Sequence, residues 1–417
     1  MIPILAAQAV GLACGLAGVR VNSSLLPPEV LGLYGLFLTL IPLGNGVVFA
    51  GVTRFVVRHW AAASDRPAFV GLVGRAWQRR LGWLALAGVG TGVAMWGMGL
   101  NPGIGSAVAV GAAVFLSTAL ISVGAMAQSA LQADRQHWRD LAVSAAGSVT
   151  RTFLPPVLFT LAGGAVLSLW TGFTLHAAVL AGMGGWLLLG RGIWRQPAPS
   201  TAKLPPAYEG GMFVVLSLMG WMVMGANRWF IAGYFDAATI GYFVLASGVG
   251  LLPAMVCTAL LQYAQPGWFA LGDGSAEDRR RMTRQVDLVA IGFTVAAVAG
   301  LLGLTALGPW LIGPLIAPDY APALAWILPT GCFGLTLGLK SLFHTQLLAS
   351  HREAACAPAE ITGSVILLMG GWWCARLGPE AFSNWLIASP LVALVVVRPI
   401  GRWYPIAPSP DQAGRNP

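Results

Sequence analysis

Residues Val30 to Val57 indicate the fold class, and they read VLGLYGLFLTLIPLGNGVVFAGVTRFVV, with Arg54 as their single charged side chain. An α-helix rises about 1.5 Å per residue, so a run of this length crosses a hydrocarbon core about 30 Å thick. Similar runs recur along the 417 residues, of which 57% are hydrophobic and 9% charged. Because ordinary soluble domains are roughly one quarter charged, the composition excludes a water-soluble protein and predicts an all-α integral membrane protein.

Polar or Gly/Pro borders divide the apolar runs into twelve candidate transmembrane helices. The first six are predicted over Ile2–Leu26, Val30–Val57, Leu81–Leu100, Ile104–Ala130, Leu141–Leu161 and Ala165–Gly190. The second six are predicted over Met212–Phe235, Thr239–Tyr263, Val286–Leu307, Ala321–Ser350, Ala354–Ala375 and Ala381–Val397. No Lys or Arg precedes the first helix, so we expect it to be retained rather than cleaved as a signal peptide.

The positive charges orient these helices. Most of the 24 Lys and Arg residues fall in alternate loops, and cytoplasmic loops are the ones that collect such residues. Both termini are therefore predicted to be cytoplasmic. The polar segment 191–210, rich in Pro, Ala and Ser, is predicted to be a cytoplasmic linker between a six-helix domain at 1–190 and a second at 211–417, which ends in a short tail. The net charge of +9 then reflects topology and attraction to anionic lipid, and nucleic-acid binding is not needed to explain it.

Several function classes lack their motifs. The 5 cysteines show no C-x-x-C spacing, so neither a disulfide framework nor a metal site is predicted. The sequence Gly338-Leu339-Lys340-Ser341 lacks the adjacent Gly-Lys of a P-loop and lies within a predicted span. No cofactor is predicted, and any transport is expected to be secondary or downhill.

The two halves resemble each other. The first carries LLPPEVLGLY around Gly32, and the second carries YFDAATIGYF around Gly241. Pro42 and Pro253 follow these glycines at similar spacing, and each can kink the second helix of its half. Because each half has an even number of spans, the predicted repeat is parallel, with its pseudo-axis along the membrane normal.

Three arginines lie within predicted spans. Arg20 and Arg228 precede the two repeat glycines by similar distances, and Arg151 lies near the centre of span five, before Pro155 and Pro156. An Arg at mid-span costs at least about 2.5 kcal/mol, so it normally faces a bundle interior or a watery cavity. Guanidiniums bind phosphate bidentately, which suggests an anionic ligand such as a diphosphate. Alternatively, Arg20 snorkels outward and Arg151 caps carbonyls that the prolines free.

Two further sets of titratable residues lie within spans. Lys340 and Glu360 lie in the inner parts of spans ten and eleven, with His344 one turn after Lys340. They form either a structural ion pair or a proton-coupling site. His176, in span six, is either a proton carrier or a neutral buried histidine with one hydrogen bond.

Glycine spacing and loop charge predict local packing. The pairs at four-residue spacing predict close helix contacts, and they are Gly11/Gly15, Gly88/Gly92 and Gly334/Gly338. The predicted inner loops Ser64–Arg80 and Gly272–Arg284 mix charged and apolar residues, which favours helices lying on the membrane surface.

Five short motifs carry a family likeness. They are LPPEVLGLY at 26–34, GVTR at 51–54, NRWFIAG at 227–233, IGY at 240–242 and QP at 265–266. Together with the six-plus-six plan, they resemble the oligosaccharide flippases of the multidrug/oligosaccharidyl-lipid/polysaccharide exporter superfamily.

The resemblance implies two six-helix bundles around a central cavity, which opens alternately to either side of the membrane. It implies a cargo of polyprenyl-diphosphate-linked oligosaccharide and assigns binding of its anionic head group to Arg20, Arg54 and Arg228. Family members often have Asp where this chain has Asn227. The resemblance therefore does not extend to ion coupling through that carboxylate.

The same likeness implies a location and partners. These are the bacterial inner membrane, membrane lipid, and a polysaccharide polymerase with other assembly proteins of surface polysaccharide or lipopolysaccharide synthesis. One alternative is a cation-coupled multidrug antiporter of the same fold, which a positive cavity disfavours because it repels cationic cargo. Another is a membrane polysaccharide polymerase or glycosyltransferase. That alternative needs a substantial outer loop or a carboxylate at an outer helix end. Asp236 and Asp319 are the plausible acids, and each stands alone in a short loop.

Overall fold

The computed structural model describes residues 2–60, 63–97, 104–189, 211–272, 274–312, 314–350 and 353–403. Helices account for nearly all of these residues, and the described ranges contain no β-strand, only an isolated bridge between Ile312 and Ile316. The protein is an all-α integral membrane protein, as the composition predicts.

The chain divides into two compact units, Met1–Trp221 (unit 1) and Met222–Pro417 (unit 2). The division falls inside one helix, Gly211–Tyr234, whose first half packs with unit 1. The predicted domains ended at residue 190 and began again at 211. The predicted linker at 191–210 lies outside the described residues.

The helices of the first half, with a π-helical turn at Asn45–Phe49, are bounded as follows: α1 Ile2–Leu25, α2 Pro28–Gly44, α3 Ala50–His59, α4 Arg66–Gly97, α5 Ile104–Ala133, α6 His137–Leu161 and α7 Val166–Leu189. Those of the second half, with a 3-10 helix at Pro318–Ala323 and a π-helical turn at Ala393–Val397, are α8 Gly211–Tyr234, α9 Ala237–Gly250, α10 Leu252–Gly272, α11 Ala276–Leu311, α12 Leu324–Ala349, α13 Glu353–Leu377, α14 Pro379–Ala388, α15 Pro390–Val392 and α16 Arg398–Trp403.

These helices follow the twelve predicted spans. Among the described residues, eight helical stretches are long and apolar enough to cross a membrane. The other four predicted spans coincide with α1, α4, α6 and α8. The second helix of each half is interrupted, by the π-helical turn after Pro42 in the first half and at Leu251, before Pro253, in the second. Proline removes a backbone donor from the helix ladder, so these breaks match the predicted kinks.

The two charged inner loops fold differently from the prediction. Residues 66–80 are the first turns of α4, a helix of 32 residues, and residues 276–284 are the first turns of α11, a helix of 36 residues. At about 1.5 Å per residue, α11 is about 54 Å long and exceeds the hydrocarbon core by several turns. The charged segments therefore extend the spanning helices instead of forming separate surface helices.

Two of the three predicted glycine pairs form close helix contacts. A Cβ on Gly92 would lie 2.5 Å from the carbonyl oxygen of Ala107, and one on Gly334 would lie 2.6 Å from that of Gly250. A Cβ on Gly88 would lie 2.8 Å from the carbonyl oxygen of Gly111, and one on Gly338 would lie 2.8 Å from the ring of Phe293. The prediction is wrong for Gly11 and Gly15, because a Cβ at either would meet no atom within 4 Å. The α1 helix instead approaches α6 closely at Gly18, where a Cβ would lie 3.3 Å from the Thr152 side chain.

Aromatic side chains fill the core of unit 1 beside the candidate site. Phe37 is fully buried, with its ring centroid 5.9 Å from that of Trp170 in a stacked geometry and 5.9 Å from that of Phe173 edge-on. This cluster joins α2 to α7. It holds in place α2, which leads into the π-helical turn of Asn45, and α7, which carries His176; both residues are described next.

Candidate functional site

Unit 1 contains a polar cavity of about 460 Å³ among its apolar helices. Helices α2, α5, α6 and α7 and the π-helical turn contribute its walls. The polar side chains that line it are those of Asn45, Gln128, Ser144, Ser148, Arg151 and His176. Polar groups at membrane depth are costly unless they have a partner, so such a group of side chains indicates a site for water or a ligand.

Arg151 supplies the positive charge of this cavity. Its side chain lines the cavity and is exposed, and within the described residues it forms neither a hydrogen bond nor an ion pair. A guanidinium is always protonated at physiological pH and presents five N–H donors in a rigid fork. An unpaired guanidinium in such surroundings is suited to binding a phosphate or another anion.

The backbone around Arg151 is shaped by two prolines inside α6. Pro155 and Pro156 have no N–H, so the carbonyls of Arg151 and Thr152 lose their usual donors one turn later. The sequence also allowed the Arg151 guanidinium to cap such carbonyls. Among the described residues, no hydrogen bond from Arg151 supports that alternative. Instead, the Thr152 hydroxyl donates to the carbonyl oxygen of Cys14 at 3.3 Å and ties α6 to α1.

Asn45 enters the cavity from the break in the second span. Pro42 lies inside α2 and withholds a hydrogen bond from the carbonyl of Leu38, and the chain then forms the π-helical turn Asn45–Phe49. A π-helical turn adds one residue per turn and therefore re-aims the side chains that follow it, which is why such turns are frequent at functional sites.

His176 is held in one orientation beside the cavity. Its Nδ1 lies 2.8 Å from the hydroxyl oxygen of Thr150, and that hydroxyl also lies 2.7 Å from the carbonyl oxygen of Ala146. A hydroxyl has one hydrogen, and the carbonyl can only accept it. Nδ1 of His176 is therefore the donor to Thr150, so His176 is a buried imidazole with at least one hydrogen bond. Both interpretations of His176, as a proton carrier and as a neutral structural histidine, stay predictions.

The other predicted anion-binding residues do not line this cavity. Arg20, in α1, and Arg54, in α3, are exposed residues of unit 1. Arg228 is partly buried and belongs to unit 2. Its neighbour Asn227 is buried, and the side-chain nitrogen of Asn227 has no hydrogen-bond partner. A shared site for Arg20, Arg54 and Arg228 stays a prediction.

Lys340 and Glu360 form an ion pair inside unit 2. The Lys340 Nζ lies 3.0 Å from the Glu360 Oε1, and the two side chains are 7% and 17% exposed. The Ser364 hydroxyl oxygen accepts from Lys340 at 3.3 Å and its hydrogen points to Glu360, also at 3.3 Å. Each charge is thus neutralised by its partner, and the pair joins α12 to α13. His344 is partly buried one turn along α12.

Sequence reasoning missed Gln128 and Ser144. Their side chains join α5 to α6, because the Gln128 Nε2 donates to the Ser144 hydroxyl oxygen at 3.1 Å. Both are polar residues inside otherwise apolar runs, and that signal could have marked them. Thr150 and Asn45 carry the same signal. None of these residue types is charged, so they are hard to distinguish in sequence from the Ser and Thr residues that bond their own helix.

Comparisons with known proteins concern the whole chain. No protein-family model matches the sequence, and no curated protein matches it either. A solved inward-facing multidrug resistance transporter of the MATE family, in the MOP superfamily, has a TM-score of 0.69 at 12% identity and aligns over 96% of this chain and 97% of its own. The lipid II flippase MurJ, in an inward closed conformation, has a TM-score of 0.71 at 14% identity over 97% of this chain and 88% of its own.

The fold is the one found in this MATE transporter and in MurJ. A MATE structure in complex with MaL6 supports the same fold, with a TM-score of 0.60 at 14% identity over 96% of this chain. At such identities the likeness concerns the backbone arrangement. The chain is therefore a multi-pass membrane protein that shares this fold, and its function must be inferred from its own side chains.

Proposed function

We propose that this protein is a flippase that moves a polyprenyl-diphosphate-linked oligosaccharide from the inner to the outer leaflet by alternating access. The observation that carries the proposal is the unpaired Arg151 guanidinium in the polar cavity of unit 1. A diphosphate offers oxygens that a guanidinium binds bidentately, and the cargo's lipid tail can stay in the hydrocarbon region while its head group crosses.

The uncharged side chains around Arg151 favour an anionic head group with attached sugars. Asn45, Gln128 and Ser148 offer donors and acceptors of the kind that hydroxyl-rich ligands use, and the wall beside them is apolar. Arg20, Arg54 and Arg228 would add positive charge along the route of the head group. In this proposal the protein lies in a bacterial inner membrane and works beside a polymerase in surface polysaccharide synthesis.

An antiporter of cationic drugs shares this fold and is the alternative. A fixed positive charge repels cationic cargo, and the partly buried carboxylate of Glu360 is already neutralised by Lys340. Drug export would need a different anionic site to attract its cargo. The charge of the described cavity therefore favours the flippase.

The test is a complementation assay in a strain that lacks this gene, with surface polysaccharide and membrane protein level both measured. Arg151→Gln should reduce polysaccharide export at least about tenfold at unchanged protein level, because a charge-assisted hydrogen bond contributes about 1.5–3 kcal/mol. Arg151→Lys should retain part of the activity, since it keeps the charge but loses the bidentate geometry.

Arg79→Gln is the matched control. Arg79 is an exposed arginine of α4 in the same unit, and it does not line the cavity. Export by this variant should equal that of the unmodified protein. Normal polysaccharide in Arg151→Gln would contradict the proposal. Resistance to cationic drugs that the protein confers on a sensitive host, and that Arg151→Gln keeps or raises, would favour the antiporter instead.

A further inference from the structure

Unit 2 contains a second cavity, at the end where α11 begins, and its volume is about 610 Å³. Helices α11, α12 and α16 and the π-helical turn before α16 surround it. Its charged lining residues are Arg279, Arg280, Arg284, Arg398 and Asp287. Four guanidiniums face one carboxylate, so the cavity has an excess of three positive charges.

Helical periodicity explains how one helix delivers so many of these groups. The cavity-lining residues of α11 recur every three or four positions, which places them on one face of the helix, and they are Ala276, Arg279, Arg280, Thr283, Arg284 and Asp287. Arg281 lies between them in sequence but lines a different hollow, beside Asp278. The basic face is therefore directed at the cavity.

Protein contacts hold two of the four guanidiniums in place. Arg398 forms an ion pair with Asp287 and lies over the ring of Phe343, with its Cζ 5.6 Å from the ring centroid. The Arg279 Nη1 donates to the carbonyl oxygen of Gly274 at 2.9 Å. The Nε of Arg398 is buried and has no hydrogen-bond partner. A donor left in this state is suited to an acceptor that a ligand brings.

Arg280 and Arg284 are the groups available for a ligand. Both are exposed, one turn apart on α11, and within the described residues neither forms a hydrogen bond or an ion pair. Two unpaired guanidiniums one turn apart can bind the oxygens of a single phosphate group from two sides. Arg279 and Arg398, which protein contacts hold in place, then add positive electrostatic potential without competing for the same phosphate oxygens.

The rest of the lining mixes apolar residues with the polar residues Thr283, Gln346 and Ser350, and the cavity lies at the predicted membrane boundary. Phe343, Leu347 and Val397 line the cavity beside the guanidiniums. The basic turns of α11 precede its apolar stretch, which the hydropathy pattern places in the membrane from Val286. The first large exposed apolar residues after the arginines on this helix are Leu288 and Ile291, so a ligand at the guanidiniums lies next to the hydrocarbon region.

We propose that this cavity binds the phosphate head group of an anionic glycerophospholipid from the leaflet that the charge pattern predicts to be cytoplasmic. The chemistry required is a phosphate ester next to acyl chains, which matches the exposed guanidiniums of Arg280 and Arg284 followed on the same helix by the exposed apolar residues Leu288 and Ile291. A soluble phosphate would use the guanidiniums alone and would make no contact with the exposed apolar residues Leu288 and Ile291. The proposal concerns a resident lipid and does not depend on which substrate the protein transports.

The experiment uses the full-length protein in a neutral detergent. Its thermal unfolding is followed while phosphatidylglycerol is added, with phosphatidylcholine of the same acyl chains and inorganic phosphate as parallel titrations. Phosphatidylglycerol should stabilise the protein at lower concentrations than either of the others. The double variant Arg280→Gln/Arg284→Gln should bind phosphatidylglycerol more weakly, by about fivefold for each arginine removed. The reason is that each Lys or Arg near an anionic lipid surface strengthens binding by about fivefold.

Arg281→Gln is the matched control, since it removes the same charge from the same helix outside the cavity. Its phosphatidylglycerol affinity should equal that of the unmodified protein. Equal weakening in Arg281→Gln would overturn the proposal in favour of general surface attraction. Equal stabilisation by inorganic phosphate or by phosphatidylcholine would also overturn it. Native mass spectrometry supplies a second readout, in which the double variant should lose bound phosphatidylglycerol while remaining monodisperse.

Discussion

Replacing one member of the Lys340–Glu360 pair should strongly destabilise unit 2, and replacing both should not. The Nζ–Oε1 distance is 3.0 Å, so at an effective dielectric constant of about 20 the gross attraction is about 5 kcal/mol. Moving the two charges out of water costs free energy that offsets much of this attraction. The ion pair is therefore only slightly more or less stable than two apolar side chains at the same positions. Removing one partner instead leaves a buried charge uncompensated, which costs about 3–5 kcal/mol.

The perturbations are Lys340→Met, Glu360→Met and the double variant. The free energy of unfolding should fall by about 3 kcal/mol or more in each single variant. In the double variant it should lie within about 1–2 kcal/mol of that of the unmodified protein. In the double variant the Ser364 hydroxyl can turn to the carbonyl of residue 360 in its own helix, so it does not stay unpaired. The coupling free energy of this cycle should therefore be several kcal/mol.

The assay is the fraction of protein that remains monodisperse after heating in detergent, measured by fluorescence-detected size exclusion. Export activity of the three variants is measured in parallel. A structural pair predicts that the double variant recovers both stability and export. A double variant that is stable but inactive would assign the pair to coupling, and single variants as stable as the unmodified protein would refute the electrostatic reasoning.

Two further predictions concern packing and ion pairing in unit 1. Gly111→Ala should destabilise the protein by about 1–3 kcal/mol, because its Cβ would lie 2.6 Å from the carbonyl oxygen of Gly88, whereas Gly90→Ala, with no atom within 4 Å, should be neutral or slightly stabilising in the same heating assay. Arg66 binds Asp134 bidentately, at 3.0 and 2.7 Å. Arg66→Lys should therefore lower the melting temperature more than Arg79→Lys does, by an amount equivalent to about 1 kcal/mol at most, since Arg66 is partly exposed. Equal melting temperatures of Gly111→Ala and Gly90→Ala would contradict the close packing at Gly111. Equal melting temperatures of Arg66→Lys and Arg79→Lys would contradict a stabilising Arg66–Asp134 pair.

Part of the candidate site could be predicted from the sequence and part could not. Arg151 was found because a guanidinium within an apolar run has a large energetic cost and so demands an explanation. The pairing of Lys340 with Glu360 followed from the same cost. Gln128, Ser144 and Thr150 carry no charge, and their contacts join residues on different helices, so periodicity along one helix contains no information about them.

The sequence by itself determined the membrane class, the twelve helical segments and the charged residues that need partners. Each of these follows from local physics, namely apolar run length against bilayer thickness and the cost of charge in hydrocarbon. Tertiary structure decided which polar groups share a cavity. It also showed that Gly88 and Gly92 pack closely while Gly11 and Gly15 do not, and that four arginines surround one cavity in unit 2. Such contacts depend on which faces of separate helices meet, and that is set by the packing of the whole unit.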